Sequence, residues 1–293
     1  MCKIIFKILF LILFTLENLQ AWEFIAKDNL ISILKTKDNS SIIEQKSLEG
    51  NVIQGIANFK DFWITTQTSN NKFLIINFLD EKGNSIFNQR INYPSHGQDL
   101  SIEYIKEQNI LKLYTVSTDW KGLVSFDFKI EDEKISYLES FNEINLQCKH
   151  CTSTLDTTEN FFAVKDVKDI TIYDKNISLE NNKENAIITK FKLNPKQTIK
   201  GQHFQGIEMR NNLIYCLTSS EKIDENKYLF VYDMNGKVVY FSELIVGKDF
   251  AIEEGDKYEL EGLTFKDNAL YTTVMTGKKG KNIKRLYKIL EVN

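Results

Sequence analysis

Proline is almost missing from this chain, with two residues among 293. No Pro-rich, Gly-rich or Ser-rich stretch divides it, so composition marks no linker between domains. Cysteine is scarce as well, at four residues. That rules out a scaffold held by disulfides and leaves the burial of Ile, Leu, Phe and Tyr to stabilise the fold. Neither sign of charge is in excess: the formal net charge is −3, and a near-neutral chain lacks the basic footprint of nucleic-acid binding. Beyond residue 21 no run approaches the ~20 apolar residues of a membrane-spanning helix. Familiar catalytic signatures are missing too. The sequence has no GxSxG elbow, P-loop, HExxH pair or EF-hand loop, and its single CxxC, Cys148-Lys149-His150-Cys151, has no zinc-site counterpart.

The amino-terminal segment is a separate object. Lys3 and Lys7 are followed by an almost wholly apolar run from Ile8 to Leu16, and Leu19-Gln20-Ala21 supplies a small residue at a cleavage position. This is the pattern of a secretory signal peptide, so residues 1–21 are read as a signal peptide and residues 22–293 as one domain starting at Trp22. An uncleaved anchor is the alternative reading. Cys2 lies before the apolar run, which argues against lipoprotein attachment. A secreted or periplasmic location follows, and there Cys148 and Cys151 would close a local disulfide, leaving Cys216 unpaired in a strand. A redox-active pair is the other option, although such pairs open a helix and this one precedes β-type sequence.

What the chain does have is a repeat. Gln54-Gly55-Ile56-Ala57, Gln98-Asp99-Leu100-Ser101, Ser153-Thr154-Leu155-Asp156, Gln205-Gly206-Ile207-Glu208 and Glu261-Gly262-Leu263-Thr264 each open a run of β-type sequence. They recur roughly every 50 residues, close to the period of propeller blades. The runs after each copy read as antiparallel meanders, as in Asn212-Leu213-Ile214-Tyr215 followed by Tyr228-Leu229-Phe230-Val231 and the hairpin signal Asn235-Gly236. The expected fold is all-β: a five-bladed β-propeller of four-stranded antiparallel blades. The fifth unit ends short of four strands, and the amino-terminal run Leu30–Leu34 is expected to supply the missing one and close the ring.

In a propeller the innermost strands face the central channel, so equivalent motif residues converge on one axis. The expected ligand-binding residues there are Gln54, His96, Gln98, Asp99, His203, Gln205, Glu208 and Glu261. Amides both donate and accept, which suits a polyol or glycan, or the tying of one blade to the next. All three histidines, His96, His150 and His203, stand just before motif copies. Three imidazoles can hold zinc, or each can bond neighbouring backbone. Asp99, Asp156, Glu208, Glu259 and Glu261 suit calcium or an acid and base pair. Trp63, Trp120 and Tyr258 are candidates to stack on sugar rings, with packing between blades as the other reading.

Gln54-Gly55-Ile56, His96-Gly97-Gln98-Asp99-Leu100, Gln205-Gly206-Ile207-Glu208 with Asn212-Leu213-Ile214-Tyr215, and Glu259-Leu260-Glu261-Gly262-Leu263 together span most of the domain. In order and spacing they resemble the helveticin J family of large, heat-labile bacteriocins and the related five-bladed propellers of phage receptor-binding proteins. The third copy, Ser153-Thr154-Leu155, departs from the glycine-bearing pattern. The resemblance implies an exported, monomeric, antibacterial or glycan-binding propeller. It would recognise a bacterial surface glycan or envelope component at the channel mouth, with no catalysis and no cofactor. Glu261-Gly262-Leu263 also resembles a motif of exported phytase-like and lactonase-like propellers, which implies the alternative of a calcium-dependent hydrolase. A scaffold for protein partners is a third reading.

Overall fold

The computed structural model describes residues 43–44, 52–69, 72–131, 134–156, 160–177, 183–193, 203–255, 257–278 and 281–291. The expected signal peptide and the expected closing strand Leu30–Leu34 lie outside the described residues. Five four-stranded antiparallel sheets form the molecule. Blade 1 holds β2 (Val52–Phe59), β3 (Phe62–Ser69), β4 (Phe73–Leu79) and β5 (Ser85–Ile91), and blade 2 holds β6 (Ser101–Ile105), β7 (Ile110–Val116), β8 (Gly122–Glu131) and β9 (Lys134–Asn145). Blade 3 holds β10 (Cys151–Asp156), β11 (Phe161–Asp166), β12 (Asp169–Asp174) and β13 (Ile187–Lys192). Blade 4 holds β14 (His203–Arg210), β15 (Leu213–Ser219), β16 (Lys227–Asp233) and β17 (Val238–Leu244). Blade 5 takes β18 (Lys257–Lys266), β19 (Ala269–Lys278) and β20 (Lys281–Glu291) from the end of the chain, and β1 (Ile43–Glu44) from its beginning.

Ring closure therefore uses β1, with Ile43 opposite Leu286 and Glu44 opposite Arg285. An amino-terminal strand thus closes the ring, as expected, by occupying the open sheet edge of β20.

Period-2 side-chain alternation explains why the inner strands are apolar throughout. In β15, Tyr215 and Leu217 pack toward blade 5 while Ile214 and Cys216 pack toward blade 3. In β16, Leu229 and Val231 face one way, and Phe230 and Tyr232 the other. Five such clusters fill the interfaces between blades, and the smallest, Ile56, Trp63, Leu79 and Leu286, joins blade 1 to blade 5. Outer strands reach solvent and alternate, as in β13 with every second residue exposed. Among the described residues one α-helix, α1 (Lys248–Glu254), leads into blade 5 and rests on it through the buried Ala251. No helix among the described residues is long and apolar enough to cross a membrane.

In its glycine-bearing copies, on blades 1, 4 and 5, the repeated motif is a β-bulge on the innermost strand, whereas β6 of blade 2, like β10 of blade 3, pairs without a slip. Register slips by one residue between Ile53 and Gly55, between Phe204 and Ile207, and between Leu260 and Leu263. Such a bulge bends the strand and re-aims a side chain. Glycine is needed because the bulges of successive blades press backbone on backbone. A Cβ on Gly206 would stand 2.7 Å from the Glu261 carbonyl oxygen, one on Gly262 2.9 Å from the Ile56 nitrogen, and one on Gly55 2.7 Å from the Asp99 carbonyl carbon. Blade 3 lacks the glycine, and its β10 pairs with β11 without a slip.

Side chains complete the ring. Thr154 donates its hydroxyl to Glu208 Oε1 at 2.6 Å, and the Leu155 amide donates to Ser101 Oγ at 3.0 Å. Two bonds run from blade 2 to blade 4, across the axis: Ile207 N–H to Asp99 Oδ1 at 3.3 Å and Gln98 Nε2 to the Gln205 carbonyl at 3.4 Å. The channel is plugged at that level.

Gly206→Ala is expected to cost about 1–3 kcal/mol through forced overpacking, measured by urea denaturation, and an unchanged midpoint would refute the close-approach account. Burial raises the Glu208 carboxyl from 4.5 to about 7, against the opposing effect of the Thr154 and Met209 donors. Its stabilising contribution is full below 4.5 and is lost as pH rises through about 7. The stability of the native chain relative to Glu208→Gln should therefore decline across that window, and parallel pH profiles would contradict it.

Candidate functional site

Above the plug lies a cavity of about 730 Å³ to which all five blades contribute. Gln54 comes from blade 1, and His96, Gln98 and Trp120 from blade 2; His150 and Lys165 belong to blade 3, Gln205 to blade 4, and Glu259 and Glu261 to blade 5. Residues from every blade can meet only around the axis. The inner strands β2, β6, β10, β14 and β18, each touching its neighbours around the ring, position them.

One wall is aromatic. The indole of Trp120 lies nearly parallel to the His150 ring, with centroids 3.9 Å apart and planes at 15°, and meets His96 at 4.7 Å with planes at 40°. The ladder is built on an unusual backbone: Asp119 and Trp120 adopt φ of 59° and 61°, a conformation rare for a bulky residue and held only where its surroundings enforce it. A turn closed by Trp120 N–H to the Ser117 carbonyl at 3.2 Å does so here. His150 is fixed by the Cys148–Cys151 disulfide around it and by Asp166, whose Oδ1 accepts the Lys149 and His150 amides at 3.0 and 2.8 Å. Burial lowers the His96 imidazole to about 4, with a further push from His150, and burial lowers His150 as well. These rings are neutral at pH 7 and present faces, not charges.

The floor is polar and buried. Gln54 and Gln98 are 5% and 3% exposed. Beneath them, burial pushes the Asp99 carboxyl up and the Lys165 amine down, each opposed by the other's charge. Lys165 Nζ donates to the Phe204 carbonyl at 2.9 Å. The blade 5 wall is acidic: Gln205 Nε2 donates to Glu259 Oε1 at 3.2 Å and Glu261 Oε2 at 3.3 Å. Lys257 pairs with Glu259 at 3.0 Å and Glu221 at 3.1 Å. Burial, then Glu259, raises Glu261 well above the usual carboxylate range.

The structure thus brings Gln54, His96, Gln98, His203, Gln205 and Glu261 to one cavity. Asp99 and Glu208, expected among the ligand-binding residues, do not reach it: each is consumed in bonds between blades beneath the floor. The expected pairing of the glutamines with the next blade's backbone also takes another form, since Gln98 reaches across the axis and Gln205 bonds two side chains. His96 and His150 each pack against the Trp120 ring. Among the described residues no group of three or more His, Cys, Asp or Glu side chains is placed to hold a metal ion. Of the three aromatics read as sugar platforms, Trp63 and Tyr258 are core residues at 3% and 1% exposure. Trp120 alone lines the cavity. Lys165, Lys257 and Phe204 lie outside the motif and carry no sequence signal, since only the β10–β11, β18–β19 and β14–β15 registers bring them to the cavity.

No curated protein matches this sequence. Among solved structures, the tail fiber of Staphylococcus aureus phage P68 superposes with a TM-score of 0.66 at 16% identity, over 86% of this chain and 52% of that one. The chain thus spans about half the length of the fiber it matches. An engineered GH43 glycoside hydrolase displaying endo-xylanase and exo-arabinofuranosidase activity gives 0.51 at 6% identity, over 85% of this chain and 51% of that one. At such identities these likenesses show a common fold alone. The model of one family, described as the phage five-bladed β-propeller receptor-binding platform domain, matches residues 56–288. Those residues run from the first bulged motif into the last strand, and the chain belongs to that family.

Proposed function

We propose that this protein recognises a bacterial surface glycan in the cavity at the mouth of its central channel. The observation that carries the reading is the joining of an aromatic platform, the His96–Trp120–His150 ladder, to a floor of glutamine amides and carboxyls within one cavity of about 730 Å³. Sugars offer apolar ring faces and a fringe of hydroxyls, and this pairing of faces with donors and acceptors matches both. Membership of a receptor-binding family supports the reading. An exported location supports it as well: residues 1–21 would direct the chain outward, and the Cys148–Cys151 disulfide suits an oxidising compartment.

The finer, bacteriocin-like role adds killing to binding. The second reading, a propeller hydrolase, is favoured by one feature: the paired carboxyls Glu259 and Glu261, with Glu261 raised, have the form of an acid beside a second carboxylate.

Purified protein incubated with a panel of intact bacteria, with cell-associated protein, colony counts and released sugar followed together, separates these roles. Association without killing is expected for glycan recognition, association with loss of colonies for the bacteriocin-like role, and sugar release for the hydrolase. Trp120→Ala is expected to weaken cell association about tenfold, or about 1.4 kcal/mol; undiminished association would remove the aromatic platform from the site. NMR titration of His96 is expected to show a midpoint near 4. A midpoint near 6.5 would place that ring in water, away from Trp120.

A further inference from the structure

One corner of the cavity holds more acceptors than donors. Gln205 Nε2 bonds both Glu259 and Glu261, so a single amide group keeps the two carboxyls side by side. Glu261 is 1% exposed. Lys257 is committed to Glu259 and Glu221, and Glu261 takes part in no ion pair among the described residues. On the adjoining blade Gln54, 5% exposed and lining the same cavity, carries a buried Oε1 that accepts no hydrogen bond among the described residues. An unmet buried acceptor costs about 1–3 kcal/mol, which a ligand with the right donors recovers.

We propose that Glu259, Glu261 and Gln54 form a subsite for a protonated primary amine on the glycan, such as an amino sugar carries. The inference rests on the glycan reading and specifies its ligand class. An ammonium group brings three N–H donors and a positive charge, matching one amide oxygen and two carboxyls with one lysine already spent. The sugar ring that bears it then reaches the Trp120 platform.

A consequence follows for protons. Burial, then the neighbouring Glu259, holds a proton on Glu261. An arriving ammonium replaces that proton, which leaves to solvent. The other charged or titratable groups around the cavity are Lys257 and Glu221, bonded to each other, Lys165 with Asp99 beneath it, Lys168, and the three imidazoles on the opposite side. None of these supplies a second positive charge to Glu261.

The test is calorimetric titration of the full chain at pH 6 with a glucosamine hexamer and with its fully N-acetylated counterpart, each in two buffers of different ionisation enthalpy. The amine form is expected to bind at least about tenfold tighter, with an apparent enthalpy that shifts with buffer as a proton is released. Both signatures should vanish in Glu261→Gln. Glu259→Gln serves as the second variant if the more buried change prevents folding. Equal affinities, or a preference that survives both variants, overturn the subsite. So does Glu261-dependent binding of calcium chloride that displaces the amine, because the corner would then be a hard-cation site. If only the N-acetylated hexamer binds, or intact cells bind while neither hexamer does, the amine subsite falls and glycan recognition stands. If no glycan and no cell binds, both fall.

Discussion

Backbone contact between the bulged motifs of neighbouring blades is the constraint on which the rest of the ring depends. Gly206 lies under the Glu261 carbonyl, Gly262 against Ile56 and Gly55, and Gly55 against Asp99. No side chain fits between these strands, so the glycines set how close the inner strands come and how narrow the axis is. The same bulge that demands a glycine turns the preceding Gln or Glu toward the cavity. Structure and site are therefore two results of one local feature. At Gly55, Gly206 and Gly262 a side chain would have to push the neighbouring blade away to accommodate its Cβ.

Blade 3 shows what happens where that feature is missing. Ser153-Thr154 has no glycine, β10 pairs without a slip, and the strand is tied to blade 4 by the Thr154 hydroxyl and to blade 2 by the Leu155 amide. The blade reaches the cavity by other means: His150 from the disulfide-closed loop before β10, and Lys165 from β11. The ring is consequently uneven. Motif polar groups reach the cavity from blades 1, 2, 4 and 5, while blades 2 and 3 supply the ladder of rings.

That unevenness also explains what could be read from sequence. Five copies of one motif with β-type runs between them declare the propeller, since both depend on local periodicity. The four-stranded blades and the hairpin at Asn235-Gly236 were legible for the same reason. Closure of the last blade by an amino-terminal strand was legible from its missing fourth strand, whereas the pairing of Ile43 with Leu286 spans almost the whole chain and carries no local signal. Helix α1 was missed: at seven residues it has too few turns to show a period, and its stability comes from Ala251 in the core and from Arg285 bonded to Glu254. At the site, motif position brings Gln54, Gln98, Gln205 and Glu261 to the cavity, while Asp99 and Glu208 lie beneath it. Which side of a strand faces the cavity is a property of register, and sequence alone does not carry it. Trp63 and Tyr258 pack in the core, the reading that aromatic residues inside blade strands favour, and an aromatic residue in a blade reads the same in either setting.

Electrostatics divide the work between floor and mouth. Burial drives Asp99 and Lys165 toward neutrality together, and the bonds they make are spent on the plug. Removing one partner would strand the other charge in a dry interior, which costs more than the pair contributes. This core is therefore suited to rigidity and poorly suited to change with a ligand. The mouth is built differently: neutral imidazoles against an indole on one side, and carboxyls sharing one amide on the other. A ligand bridging the two sides must be flat and apolar at one end and rich in donors at the other. Size alone does not impose that polarity on a cavity of about 730 Å³. It comes from the ring's asymmetry, with the blade that lacks glycine standing among the rings and the blade with two carboxyls on one strand standing opposite.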